Sequence, residues 1–190
     1  MLTNDAIYSR LLGALLYHPP SSQTVVTILD GFAEQEDELL QRLSRLAGAT
    51  MPDELAADFF NLLQGSGTMP SPPWGSVYLD PENVLFGCST LEYRTFLSHL
   101  GITCDTGMRE PEDHIGLMLM MFSVLLDRGD IANANTLLAA HLMPFAPTML
   151  GKMKENANTD FYQAVAAFTL SWLNLYCAEH AINIVPRPCC

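Results

Sequence analysis

Positive charge is scarce in this 190-residue chain. Nine lysines and arginines stand against 21 aspartates and glutamates, for a formal net charge of -12. A surface of that sign repels nucleic acid and anionic lipid, and it favours a basic peptide or protein as partner. The five cysteines, Cys88, Cys104, Cys177, Cys189 and Cys190, form no CxxC pair and no zinc spacing. Their odd number, with no positively charged leader before Arg10, points to a reducing cytoplasm and not to secretion. The Cys189-Cys190 tail reads as a frayed end without a role. The apolar run from Ile115 to Leu126 is too short to span a bilayer, so no stable membrane insertion is expected. There is no P-loop, no GxGxxG between strand and helix, no HExxH and no GxSxG. Alternating strand patterns, internal repeats and low-complexity blocks are missing too.

What is present is apolar and helical. Hydrophobic residues make up 49% of the chain, enough for one substantial core over residues 1–190. Helical stripes recur: Ile7, Leu11, Leu12, Leu15 and Leu16, ended by His18-Pro19-Pro20; Val25, Val26, Leu29 and Phe32 behind a Ser21 or Ser22 cap; Leu39, Leu40, Leu43 and Leu46 behind an acidic start. Pro52 opens a fourth helix, broken at Gly65-Ser66-Gly67, and Thr90 is positioned to cap another. Asp130 caps a helix ended by Pro144, a short helix follows from Pro147 to Lys154, and a long one starts near Thr159. The expected architecture is an all-α, single-domain bundle of roughly eight to ten helices with one long ordered loop, Thr68 to Gly87.

The chain is organised around Arg109 to Arg128. Pro111 suits a first helical turn. A helix beginning there would stand Glu110, Asp113 and His114 at i, i+3 and i+4, at the mouth of a helix that is apolar all round. Two carboxylates and an imidazole in that pattern can favour the helix dipole, bind a basic peptide, or hold a metal for acid–base chemistry. Trp74, after two prolines, is either a lid over the core or an exposed anchor.

Two strings carry a resemblance. Pro70-Ser71-Pro72-Pro73-Trp74-Gly75-Ser76-Val77-Tyr78-Leu79-Asp80, followed by Val84-Leu85-Phe86-Gly87, resembles the loop of the DmsD branch of the TorD/DmsD/NarJ redox-enzyme maturation chaperones. Glu110-Pro111-Glu112-Asp113-His114 is similar to the E-P-x-D-H motif of that family. The likeness covers most of the chain and is least clear from about Asp30 to Leu55 and in the tail. It implies a cytoplasmic, all-helical, non-enzymatic chaperone without cofactor or bound metal. Such a protein binds the twin-arginine leader of a molybdoenzyme catalytic subunit of the DMSO reductase type. It blocks export through the Tat translocase until the cofactor is in place, with contacts to translocase components, as a monomer or a domain-swapped dimer. On the resemblance, the leader site falls on Pro73, Trp74, Gly87, Asp113 and His114, with Leu62 and Leu63 at an earlier edge. That edge departs from the family pattern, since Gln64-Gly65-Ser66 stands where relatives often have Gly-Pro.

The residues suggest a division of labour. Glu110, Glu112 and Asp113 accept guanidinium forks and set register. Leu62, Leu63, Trp74 and Phe86 bury the apolar part of the leader and supply most of the affinity. That scheme requires Trp74 and Asp113 to share one cleft. The rival reading is a metal-dependent hydrolase built on Asp113 and His114, with His141.

Overall fold

The computed structural model describes residues 4–65, 67–82, 84–103 and 110–185. Arg109, Cys104 and the Cys189-Cys190 tail lie outside them. Ten helices and no strand are present among the described residues: α1 (Asn4–Tyr17), α2 (Gln23–Ala33), α3 (Glu38–Ala49), α4 (Pro52–Phe59), α5 (Ser76–Leu79), α6 (Cys88–His99), α7 (Ile115–Asp127), α8 (Ile131–Thr136), α9 (Ala146–Asn156) and α10 (Asp160–Glu179). α4 and α8 each run on into a π-helical turn, Phe60–Gln64 and Leu137–Leu142. The all-α expectation holds. No described helix is long and apolar enough to cross a membrane.

The caps follow the sequence in most places. Ser22, Asp37, Asp130 and Thr159 each accept a backbone N–H at the start of α2, α3, α8 and α10. α7 ends at a Schellman turn: Gly129 has φ +71°, its N–H bonds the Leu126 carbonyl, and the Asp130 N–H bonds the Leu125 carbonyl. α6 differs. It starts at Cys88 behind Gly87, and Thr90 is buried inside it. The Asp80 carboxylate reaches across from the loop and takes both the Ser89 N–H (3.1 Å) and the Ser89 hydroxyl (2.8 Å), so the helix is capped from outside its own sequence.

α7 is the buried axis of the bundle, and α1 lies against it. The two backbones touch at a pair of glycines. A Cβ on Gly13 would sit 2.7 Å from the Gly116 carbonyl oxygen, and one on Gly116 would sit 2.8 Å from that of Gly13. The Ser9 hydroxyl adds a 2.6 Å hydrogen bond to the Leu119 carbonyl lower down the same seam. This close approach brings the C-terminal end of α1, at Tyr17, against the N-terminal end of α7. At the opposite side, the buried Asp58 carboxylate of α4 accepts from the Thr159 N–H (2.8 Å) and hydroxyl (2.7 Å), pinning the start of α10.

One expectation fails at α7. The helix begins at Ile115, not at Pro111. Residues 111–114 form a turn, in which the His114 N–H bonds the Pro111 carbonyl and His114 itself is extended at φ -64°, ψ 127°. His114 is the cap: its Nδ1 accepts the Gly116 N–H at 3.0 Å. Glu110, Asp113 and His114 therefore do not share a helical face. Each is aimed separately by the turn.

Candidate functional site

The first amides of any helix lack partners within it. At α7 they recruit the proline-rich loop. The Ile115 N–H bonds the Pro73 carbonyl at 2.8 Å, and the Gly75 N–H bonds the Asp113 carbonyl at 3.1 Å. Trp74 and His114 thus form an isolated antiparallel bridge. Gly75 has no room for a side chain, because a Cβ would lie 2.9 Å from the Phe145 ring. Beyond it the Asp113 Oδ2 accepts the Ser76 N–H at 2.6 Å and starts the single turn of α5. The long loop is tied to the mouth of the central helix by backbone hydrogen bonds, so Trp74 is held in place.

His114 is the hub. It is buried, with the rings of Tyr17 and Trp74 standing nearly perpendicular to its own at centroid distances of 5.3 Å and 6.0 Å. Since Nδ1 accepts from Gly116, the neutral ring carries its proton on Nε2, which faces the Leu63 carbonyl in the π turn. Glu110 Oε1 lies 3.7 Å from the same nitrogen. Burial pushes the His114 pKa down to about 3, with the Leu63 carbonyl opposing only partly. The His114–Glu110 contact is therefore imidazole against carboxylate, not an ion pair at neutral pH.

Around this hub opens a cleft of about 620 Å³. Tyr17, Phe59, Leu63, Trp74, Leu85 and Pro111 supply apolar walls, and Glu110, His114, His18 and Gln64 supply the polar ones. Desolvation raises the pKa of Glu110. The Tyr17 hydroxyl and the Trp74 indole N–H favour its charged form, the indole from outside normal hydrogen-bond geometry.

Of the ten residues expected at a leader site, Leu63, Trp74, Glu110 and His114 line this cleft. Leu62 and Pro73 are buried behind it. Phe86 is 47% exposed and sits on the loop beyond the rim, next to Gly87, the N-cap of α6. Glu112 is already held by Arg94 in a two-point fork, Nε to Oε1 at 2.9 Å and Nη2 to Oε2 at 2.7 Å. Asp113 is 3% exposed and lies under the Trp74 loop. Burial raises its pKa, while the Ser76 N–H and hydroxyl and the Thr90 hydroxyl pull it back. Trp74 and Asp113 are neighbours, but only Trp74 faces the open space. Tyr17, His18, Pro19, Phe59, Gln64, Leu85 and Pro111 were missing from the expected set. His18-Pro19 had served only as a helix terminator, and the neighbouring signal, the Tyr17-His18 pair of an aromatic and an imidazole at a helix end, went unused.

The hydrolase alternative has no chemical footing. Both nitrogens of His114 are engaged, Asp113 is sealed in, and His141 is buried between the rings of Tyr93 and Phe96 at 5.3 Å and 5.0 Å.

The helical bundle thus opens, where the proline-rich loop meets α7, into a cleft of mixed apolar and acidic lining. The chain belongs to the family whose model is described as nitrate reductase delta subunit, matched over residues 29–151, the TorD/DmsD/NarJ group of redox-enzyme maturation chaperones. It is 35% identical to a DmsD-type Tat proofreading chaperone of Haemophilus influenzae, over 96% of this chain and 95% of that one. It is 32% identical to the Tat proofreading chaperone DmsD of Salmonella typhi, over 96% and 94%. A more distant relative is the chaperone TorD of Shewanella pealeana, 28% identical over 75% of this chain and 67% of that one. Among solved structures, a redox enzyme maturation protein of Archaeoglobus fulgidus matches with a TM-score of 0.62 over 90% of this chain and 93% of that one, at 15% identity, which shows the shared fold. The protein is a maturation chaperone and not an enzyme.

Proposed function

We propose that this chaperone binds the twin-arginine leader of a molybdoenzyme catalytic subunit of the DMSO reductase type, in the cytoplasm, and holds it from export until the cofactor is inserted. The carrying observation is the Trp74–Glu110–His114 cleft: a fixed indole beside a half-buried carboxylate that has no ion-pair partner of its own among the described residues. A leader offers the complement, a guanidinium followed by an apolar tract.

The magnitudes favour apolar contacts as the main source of affinity. Burying a leucine-sized side chain contributes about 1.5–3 kcal/mol. An exposed ion pair contributes about 0.2–1 kcal/mol, and Glu112, 17% exposed at its side chain, is already committed to Arg94. Trp74→Ala is expected to weaken binding of a fluorescent leader peptide about tenfold or more, while Glu112→Ala changes it less than about threefold. Titration by anisotropy decides the point. Equal losses for the two variants would overturn the division of labour, and unchanged binding by Trp74→Ala would overturn the site.

A further inference from the structure

We infer that the apolar tract of the leader leaves the cleft over Leu85 and lies along an exposed strip made by Val84, Phe86 and Leu91 at the start of α6. This rests on the leader-binding reading above and extends it to a surface outside the cleft.

Length demands such a surface. The apolar region of an export leader runs to about 7–15 residues, which is about 23–50 Å when extended. A cleft of about 620 Å³ is the size that encloses one small-molecule ligand, so it accommodates a few side chains of that tract and no more. The remainder must lie on the outside of the protein.

The strip begins where the cleft stops. Leu85 lines the cleft and is still 43% exposed. Its neighbours Val84 and Phe86 are 44% and 47% exposed, and Leu91 is 51% exposed. The register of α6 joins them. With Gly87 as N-cap, Phe86 is the residue before the cap and Leu91 is the fourth residue of the helix, the two positions that meet in a hydrophobic staple. The Leu91 N–H bonds the Gly87 carbonyl at 3.2 Å, which fixes that register. An ordinary staple covers its own apolar pair. Here both members stay half open to solvent.

Backbone strain points the same way. Phe86 has φ +60°, a conformation that a bulky residue adopts only under constraint. The constraint is visible next to it. Gly87 is pressed against Asp80 so closely that a Cβ would overlap Oδ2, and that same carboxylate holds Ser89. The fold thus keeps a phenylalanine turned outward at a cost in backbone energy, on a rigid base, beside the mouth of the site.

The test is a coupling measurement between Leu91 and the tract. Leu91→Asp, with Leu91→Ser as a milder partner, is titrated against a full leader and against a leader whose tract leucines are replaced by serine. Loss of one half-buried leucine contact predicts about tenfold weaker binding of the full leader, shrinking to less than about twofold for the serine leader. Circular dichroism and an unchanged thermal midpoint confirm that both variants keep the native fold. An equal effect on both leaders, or no effect on either while Trp74→Ala still weakens the full leader, would overturn the strip and leave the cleft standing. No effect of Trp74→Ala would overturn the cleft itself.

Discussion

At the scale of single residues, the acidic motif divides into three different carboxylates. Glu112 is held by Arg94 on the outside, Asp113 is a buried fastener under the Trp74 loop, and Glu110 alone faces the cleft. The sequence reading let all three accept a guanidinium, and its spacing put Glu110 and Asp113 on one helical face because it assumed a helix that starts four residues too early. What hid the difference was His114, whose imidazole caps α7 from outside and turns 111–114 into a bend. A histidine is not among the preferred capping residues, so nothing in the motif announced it. Glu110→Gln is expected to weaken an Arg-Arg leader about tenfold and a leader with both arginines changed to glutamine hardly at all, measured by anisotropy. Arginine binding requires Glu110 charged, and its pKa is raised by burial. Leader affinity of the native protein should therefore fall as pH drops into the acid range, and the Glu110→Gln variant should lose that dependence.

At the scale of elements, helices were legible wherever apolar periodicity met an intrinsic cap. α2, α3, α8 and α10 begin where Ser22, Asp37, Asp130 and Thr159 put them. α6 was misplaced because its cap is a carboxylate donated from the loop, a tertiary contact that no local pattern carries. The loop itself was recognised as ordered from its proline and aromatic content, but its partner was not. The α1–α7 seam was equally silent, since two isolated glycines a hundred residues apart look like weak points in two helices. They are where the helices touch. Gly116→Ala is expected to cost about 1–3 kcal/mol by forcing a Cβ into the Gly13 carbonyl and Tyr17, read as a lowered thermal midpoint. Because the same contact sets Tyr17 against His114, the variant should also weaken leader binding, whereas Gly48→Ala, at an open position, should do neither.

At the scale of the molecule, stability and charge are linked through the buried hub. His114 ordinarily titrates near 6.5, and in the fold its pKa is about 3. The unfolded chain therefore binds the proton first as pH falls, and the stability contributed by a neutral His114 is full above pH 6.5 and lost progressively toward pH 3. Asp113 and Glu110 act with the opposite sign, since both have raised values in the fold and favour it as they protonate. Replacing His114 by asparagine, which can still cap α7, should flatten the fall of the thermal midpoint between pH 6.5 and 4.5. A net charge of -12 also lays a long-range attraction over the whole surface toward a cationic leader. Raising salt from 0.05 to 0.5 M should slow association more than it speeds dissociation, because screening acts on encounter and the apolar contacts persist.

The bond from the Ile115 amide to the Pro73 carbonyl ties the floor of the cleft to the first turn of its central helix. Any guest that clamps Trp74 must also suppress the brief openings of that bond. Deuterium uptake at Ile115 then becomes a built-in gauge of occupancy: it should slow when a leader is seated, while the amide of Asp130, in the turn just past the far end of that helix, keeps its pace.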